Sequence, residues 1–155
     1  MNSLKLFIGS GFGSGYFPKA PGTMGSLVAL IPIYFLIQSS NLFLIPIFVL
    51  VTSLLSLWVS SACEKAWGED PGTLVMDEWA GQALAFSGFL FTENLSYNLL
   101  LLLSGFLFFR FFDILKPLGI KKLQNLHGGL GILLDDLLAG LYAFICLKTL
   151  ILILL

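Results

Sequence analysis

Charge is scarce in this chain. Only 11% of its 155 residues are Asp, Glu, Lys or Arg, and there is a single His. A net charge of −1 gives no bulk attraction for nucleic acid. Cysteine is scarcer still. Cys63 and Cys146 stand alone, with no CxxC or finger spacing, which argues against a structural zinc site and against a disulfide framework. No cleavable signal peptide is expected, because the opening MNSLKLFIGSGFGSGYFPK has too short an apolar core and too many glycines. Hydrocarbon fills the space that charge leaves. The chain is 57% hydrophobic with mean hydropathy +0.96, above the roughly 45–50% apolar content of a soluble domain. The excess points to a bilayer.

The length suits a single domain, 1–155. The apolar runs predict an all-α fold, a polytopic membrane helical bundle of about five membrane helices. Residues 1–23 are rich in Gly and Pro and read as a flexible leading loop. Their glycines are a weak phosphate-loop signal, since no strand precedes them and no GK[ST] follows. Thr23 or Ser26 is placed to cap a first helix over about Met24 to Gln38. A second helix is expected over about Leu42 to Cys63, a third from Asp77-Glu78 to about Phe91, a fourth over about Tyr97 to Leu115, and a fifth over about Gly131 to Leu155. The first and third hold only about 15 apolar residues, roughly 22 Å of helix, short of a ~30 Å hydrocarbon core.

Five crossings sort the charges by side. Lys5, Lys19, Lys65, Arg110, Lys116, Lys121 and Lys122 all fall on one face, with only Lys148 elsewhere. The positive-inside rule makes that face cytoplasmic. Glu64, Glu69, Asp70, Asp77, Glu78, Asp113, Asp135 and Asp136 share it, and Glu93 alone is opposite. The densest part runs from Arg110 to Asp136, twenty-seven residues that hold eight of the eighteen charged or His residues of the chain. Charge at membrane depth is costly and marks function.

Two acidic pairs begin alike. Asp77-Glu-Trp-Ala-Gly81 and Asp136-Leu-Leu-Ala-Gly140 both read D-x-x-A-G. Small residues one turn inside each Asp let helix backbones approach closely, so Asp77, Glu78, Asp135 and Asp136 can converge, with Asp113 added from the fourth helix. So many carboxylates repel one another. A divalent cation removes the conflict, and all-oxygen ligation favours Mg²⁺, Mn²⁺ or Ca²⁺ over zinc. Acids that only complement a helix dipole are the plainer reading, but two pairs in matching contexts favour the metal. Arg110 and Asp113 share a helix face, with Lys116 three residues on. The Arg fork and the Lys point charge suit phosphate, as do three helix N-termini expected at Thr23, Asp77 and Asp135. Lys121 and Lys122 read as headgroup contacts. His127 is a plain polar loop residue or a proton carrier. Trp58, Trp67 and Trp79 read as interfacial anchors or packing. Acids for a metal, bases for phosphate and a membrane setting together indicate metal-assisted hydrolysis of a lipid phosphate.

At these residues the sequence resembles the phosphatidylglycerophosphatase A family. Four blocks carry the resemblance: PKAPGTMGSL (18–27), MDEWAGQ (76–82), FRFFDILKP (109–117) and GGLGILLDDLLAG (128–140). They cover about a quarter of the chain, in family order. The resemblance implies an all-helical enzyme of the bacterial inner membrane; the positive-inside rule faces its site to the cytoplasm. The implied activity is Mg²⁺-dependent removal of the terminal phosphate of phosphatidylglycerophosphate, giving phosphatidylglycerol. The family's acidic and basic motif positions fall on Asp77, Glu78, Arg110, Asp113, Lys116, Asp135 and Asp136, with Thr23 in the PGT block, and the match does not divide metal binding from proton handling among the acids. Taken with the charge pattern, catalysis is expected on Asp77, Glu78, Arg110, Asp113, Asp135 and Asp136, the metal on Asp77, Glu78, Asp135 and Asp136, and the substrate phosphate on Lys19, Thr23, Arg110 and Lys116. Two other readings stand beside it. One is a phosphatase for another lipid or polyprenyl phosphate. The other is a small transporter with an acidic site, which the one-sided charge disfavours because transport sites usually lie at the midplane.

Overall fold

A computed structural model of the chain describes residues 2–123, 126 and 128–154. Seven α-helices are found among the described residues: α1 Asn2–Gly9, α2 Pro21–Gln38, α3 Leu44–Trp67, α4 Met76–Leu84, α5 Leu95–Leu115, α6 Ile120–Leu123 and α7 Gly129–Leu154. α2, α3, α5 and α7 are long and apolar enough to cross a membrane. Their exposed faces carry Ile31, Phe35, Leu50, Leu54, Leu103 and Ile145, the apolar surface that lipid solvates. The chain is an all-α protein with four candidate membrane helices.

The leading segment is not the flexible loop expected for residues 1–23. α1 and a 3₁₀ turn over Ser14–Tyr16 fold it against the bundle. Gly9 packs on Val59, Cys63 and Leu74, and its carbonyl accepts the Val75 N–H at 2.9 Å. The glycines here serve turns and close contacts, with Gly11 and Gly13 at positive φ. The expected cap at Thr23 or Ser26 also gives way. α2 starts earlier, at Pro21, whose fixed φ suits the first helical position. Ala20 precedes it in the left-handed region with no side-chain cap, and Thr23 and Ser26 lie inside the helix.

The third membrane helix departs furthest from expectation. It was expected to run to about Phe91, but α4 ends at Leu84, so its nine residues span about 14 Å. Turns follow through Ala85–Gly88, with Gly88 at φ 78. Non-helical backbone survives at membrane depth only where protein covers it, and the apolar side chains of this stretch are covered, although Gly88 is exposed: Ala85 and Phe86 are fully buried and Phe89 nearly so. Phe86 fills the space left by Gly105 of α5 and sits beside Leu147 of α7. Further on, Phe89 packs edge-on to Phe144 and Phe91 lies against Tyr34 of α2. The apolar run expected to be a membrane helix is instead a short helix followed by turns, and its burial comes from neighbouring helices.

α5 and α7 fix the other side of the bundle. Asn94 caps α5, accepting from the Ser96 and Tyr97 N–H groups at 2.9 and 3.2 Å. The helix stops at Lys116, which is left-handed (φ 46) and precedes a proline. α7 begins at Gly129, before the Gly131 expected. Asp135 therefore lies nearly two turns inside α7 and not at a helix N-terminus. The dipole explanation available to Asp77 and Glu78, in the first turn of α4, does not extend to Asp135 and Asp136.

Candidate active site

The matching D-x-x-A-G segments meet. α4 packs most extensively on α7 and α3. A side chain on Gly140 would collide with the Gly81 carbonyl, and one on Gly81 with the Asp136 carbonyl and the Phe109 ring. The two glycines thus bring the α4 and α7 backbones into direct contact. That contact sets the acidic pairs side by side, with Asp77 neighbouring Asp136. Asp77, Asp135 and Asp136 are at most 4% exposed.

The last turns of α5 supply the cations. Arg110 Nη1 donates to Asp113 Oδ2 at 2.5 Å and lies 3.8 Å from Glu78 Oε1. Lys116 Nζ bonds Asp135 Oδ2 and lies 4.0 Å from Asp113 Oδ1. One chain of charge results, Glu78–Arg110–Asp113–Lys116–Asp135, drawn from α4, α5 and α7. Burial works against the charge on Lys116, but the hydrogen bond to Asp135 and the charges of Asp135, Asp136 and Asp113 outweigh it and raise its pKa above the ordinary lysine value. Asp77 and Asp136 join no ion pair among the described residues.

α2 closes the site from the fourth side. Its first turn presses on Glu78: a side chain on Gly22 would strike the Glu78 carboxylate, and one on Gly25 would sit 3.0 Å from Glu78 Oε2. Ser26, fully buried, accepts from Arg110 Nη1 at 3.3 Å and donates to the Gly22 carbonyl at 3.0 Å.

The structure thus brings together Asp77, Glu78, Arg110, Asp113, Lys116, Asp135 and Asp136. Thr23 is half-buried in the first turn of α2. Lys19 is exposed, and no ion pair or hydrogen bond among the described residues ties it to the group. Lys121 and Lys122 are exposed on α6. His127 lies outside the described residues. Trp79 is buried in the core and Trp67 packs on Tyr16, while Trp58 is half exposed beneath Lys5. Ser26 is the site residue that the sequence left as a helix cap; it lies inside the first block, PKAPGTMGSL, where a polar residue among small neighbours was the available signal. Gln82 is fully buried and donates to the Gly105 carbonyl at 3.4 Å, in the core.

A divalent cation can be weighed against this donor set. Among the described residues no three carboxylates form a ready-made cage. The chemistry of the donors nonetheless fits a hard ion: all are oxygens, they outnumber the local cations, and the buried Asp77 Oδ1 and Glu78 Oε2 have no hydrogen-bond partner among the described residues. A buried carboxylate oxygen without a partner is costly, and an ion bound there removes that cost.

The chain is similar to known proteins along most of its length. The model of the family "Phosphatidylglycerophosphatase A" matches residues 7–151. A Bacteroides thetaiotaomicron protein named "Putative phosphatidylinositol-3-phosphatase" is 38% identical over 150 residues, covering 94% of this chain and 92% of that protein. The phosphatidylglycerophosphatase A of Haemophilus influenzae is 38% identical over 140 residues, 87% of this chain and 81% of its own. That of Escherichia coli is 36% identical over 132 residues, 84% and 73%. No solved structure matches. With nearly the whole length matched, the chain belongs to the phosphatidylglycerophosphatase A family of lipid phosphatases.

Proposed function

We propose that the chain removes the terminal phosphate of phosphatidylglycerophosphate, with Mg²⁺, at the cytoplasmic leaflet of a bacterial inner membrane. The observation that carries the proposal is the joining of acids from α4 and α7 to Arg110 and Lys116 of α5 in one buried cluster. A phosphomonoester needs both signs of charge: cations for its oxygens, and carboxylates to hold an ion and handle protons. The excess of Lys and Arg at this end supports the cytoplasmic side, and the relatives named above are bacterial.

Arg110 binds the phosphoryl oxygens. Its buried Nε has no hydrogen-bond partner among the described residues, and the fork geometry suits two oxygens at once. Lys116, kept charged by Asp135, offsets negative charge that develops as the ester bond breaks. Thr23 and the free N–H groups of the first turn of α2 add donors, and Lys19 is an outer cation for the headgroup. Asp77, Glu78, Asp135 and Asp136 are the residues that would hold Mg²⁺. When bound there, the ion would polarise a phosphoryl oxygen and acidify a water. Asp113 holds Arg110 in place.

A second reading concerns the substrate. The Bacteroides relative carries the name of a phosphatidylinositol-3-phosphatase, and both lipids present a phosphomonoester at the membrane surface. The test is phosphate release by the purified protein in mixed micelles, with phosphatidylglycerophosphate, phosphatidylinositol 3-phosphate, phosphatidic acid and a polyprenyl phosphate compared in Mg²⁺. A kcat/KM highest for phosphatidylglycerophosphate supports the proposal. A preference for the inositol lipid replaces the substrate and keeps the site. No release from any of them sinks the phosphatase reading.

A further inference from the structure

The structure assigns to Ser26 the task of positioning Arg110, which takes the phosphate in the reading above. Ser26 is fully buried on α2, one turn inside its start. Its hydroxyl has two partners: it donates to the Gly22 carbonyl at 3.0 Å and accepts from Arg110 Nη1 at 3.3 Å. The first bond aims the hydroxyl proton at the helix backbone, which turns a lone pair toward the guanidinium. Arg110 is thus held from two helices, by Asp113 on α5 at 2.5 Å and by Ser26 on α2. Asp113 is three residues away on the same helix and can follow Arg110 through several rotamers. Ser26 is on another helix, so it selects among them.

The neighbourhood has been shaped for this contact. Gly22 and Gly25 flank Ser26 and leave room for the Glu78 carboxylate, the other acid beside Arg110. Small residues at all three positions let the α2 backbone come up to the charged cluster. A hydroxyl at 26 is then the one side-chain group from α2 that bonds the guanidinium among the described residues. Ser in mid-helix often bonds only its own backbone; here the same hydroxyl also serves a charged partner 84 residues away in sequence.

The test uses full-length protein in detergent, with the variants Ser26→Ala, Arg110→Lys and the double substitution. Three quantities are read: kcat and KM on phosphatidylglycerophosphate, binding of inorganic phosphate, and unfolding temperature. Ser26→Ala should lower kcat/KM about ten-fold, the scale of one hydrogen bond to a charged group, and should weaken phosphate binding while the unfolding temperature holds. Because Ser26 acts through Arg110, the double variant should be no worse than Arg110→Lys alone. Additive losses, an unaffected Ser26→Ala, or a loss that follows the unfolding temperature would each overturn the assignment. If the wild type hydrolyses no lipid phosphate but binds inorganic phosphate, and that binding depends on Ser26, the substrate reading falls and this one stands. If that binding is absent or indifferent to Ser26 as well, both fall.

Discussion

The two acidic pairs share a sequence pattern but not an environment. Asp77-Glu78 opens a nine-residue helix, where backbone N–H groups are free and the dipole favours negative charge. Asp135-Asp136 lies well inside a 26-residue helix whose backbone is already bonded. Yet each pair divides in the same way. One member meets a cation of α5, Glu78 beside Arg110 and Asp135 on Lys116. The other, Asp77 or Asp136, is buried and joins no ion pair among the described residues. The matching split teaches that the pattern encodes a placement across the bundle, one acid turned to the cations and one left for something else. A helix-dipole role could explain α4 alone; it cannot explain α7.

The sharpest way to break this comparison is to remove the cation-free acids. Asp77→Asn and Asp136→Asn are each expected to lower phosphate release by about three orders of magnitude, as loss of a group acting directly at the reacting phosphate does, with the protein still folded in detergent. Near-normal turnover in Asp136→Asn would show that the unpaired acids are only tolerated. Chelation should have a comparable effect if these acids hold an ion: EDTA should bring activity to background, and Mg²⁺ should restore it. Activity indifferent to EDTA after thorough dialysis would leave the unpartnered oxygens of Asp77 and Glu78 without the explanation offered here.

Next come the paired acids, where stability should respond as well as activity. Asp135→Asn leaves Lys116 with only its 4.0 Å contact to Asp113, in a site where its side chain is 23% exposed. A fully buried pair broken in this way costs about 3–5 kcal/mol; partial exposure reduces this to about 1–3 kcal/mol, read as a lower unfolding temperature. Adding Lys116→Met should recover part of that stability without recovering activity. If the double variant is less stable than the single, Asp135 does more than neutralise its lysine. A steric test of the meeting point follows. Gly140→Ala drives a methyl into the Gly81 carbonyl, and overpacking of this kind costs about 1–3 kcal/mol. Activity should fall with it, because the same contact brings Asp136 to Asp77.

Much of this was legible beforehand, for identifiable reasons. The apolar runs of α2, α3, α5 and α7 announce themselves because a spanning helix must satisfy its own backbone along its whole length. The Arg110–Asp113 pair follows from helical spacing alone, and the meeting of Gly81 with Gly140 from two small residues in equal context. The end of α4 was hidden because hydropathy reports side chains, and a buried turn is as apolar as a buried helix. What separates them is the cover supplied by Gly105, Leu147 and Phe144, residues far away in sequence. The start of α7 was hidden because Gly128-Gly129 reads as a loop, although the helix takes in Gly129 and Gly131. Ser26 looked like a cap because capping is a local role for Ser. Its partner lies on another helix, which no local spacing reveals.

The smallest effect expected is at Lys122. It sits on α6, whose register is set by the fully buried Ile120. The approach to α6 is tied to α7 by the Tyr142 hydroxyl, which donates to the Leu118 carbonyl at 3.1 Å. Those anchors turn Lys121 and Lys122 outward, and both are exposed. Lys116 is the contrast on the same connection: half-buried and bonded to Asp135. Lys122→Ala should therefore change turnover by no more than about two-fold, the range of a surface substitution, with any loss greatest in micelles rich in anionic lipid. Lys116→Ala should cost far more in the same assay. An equal loss in both would mean that the cationic work of the site extends onto α6, and that the boundary drawn here between buried, paired charge and outward, lipid-facing charge is in the wrong place.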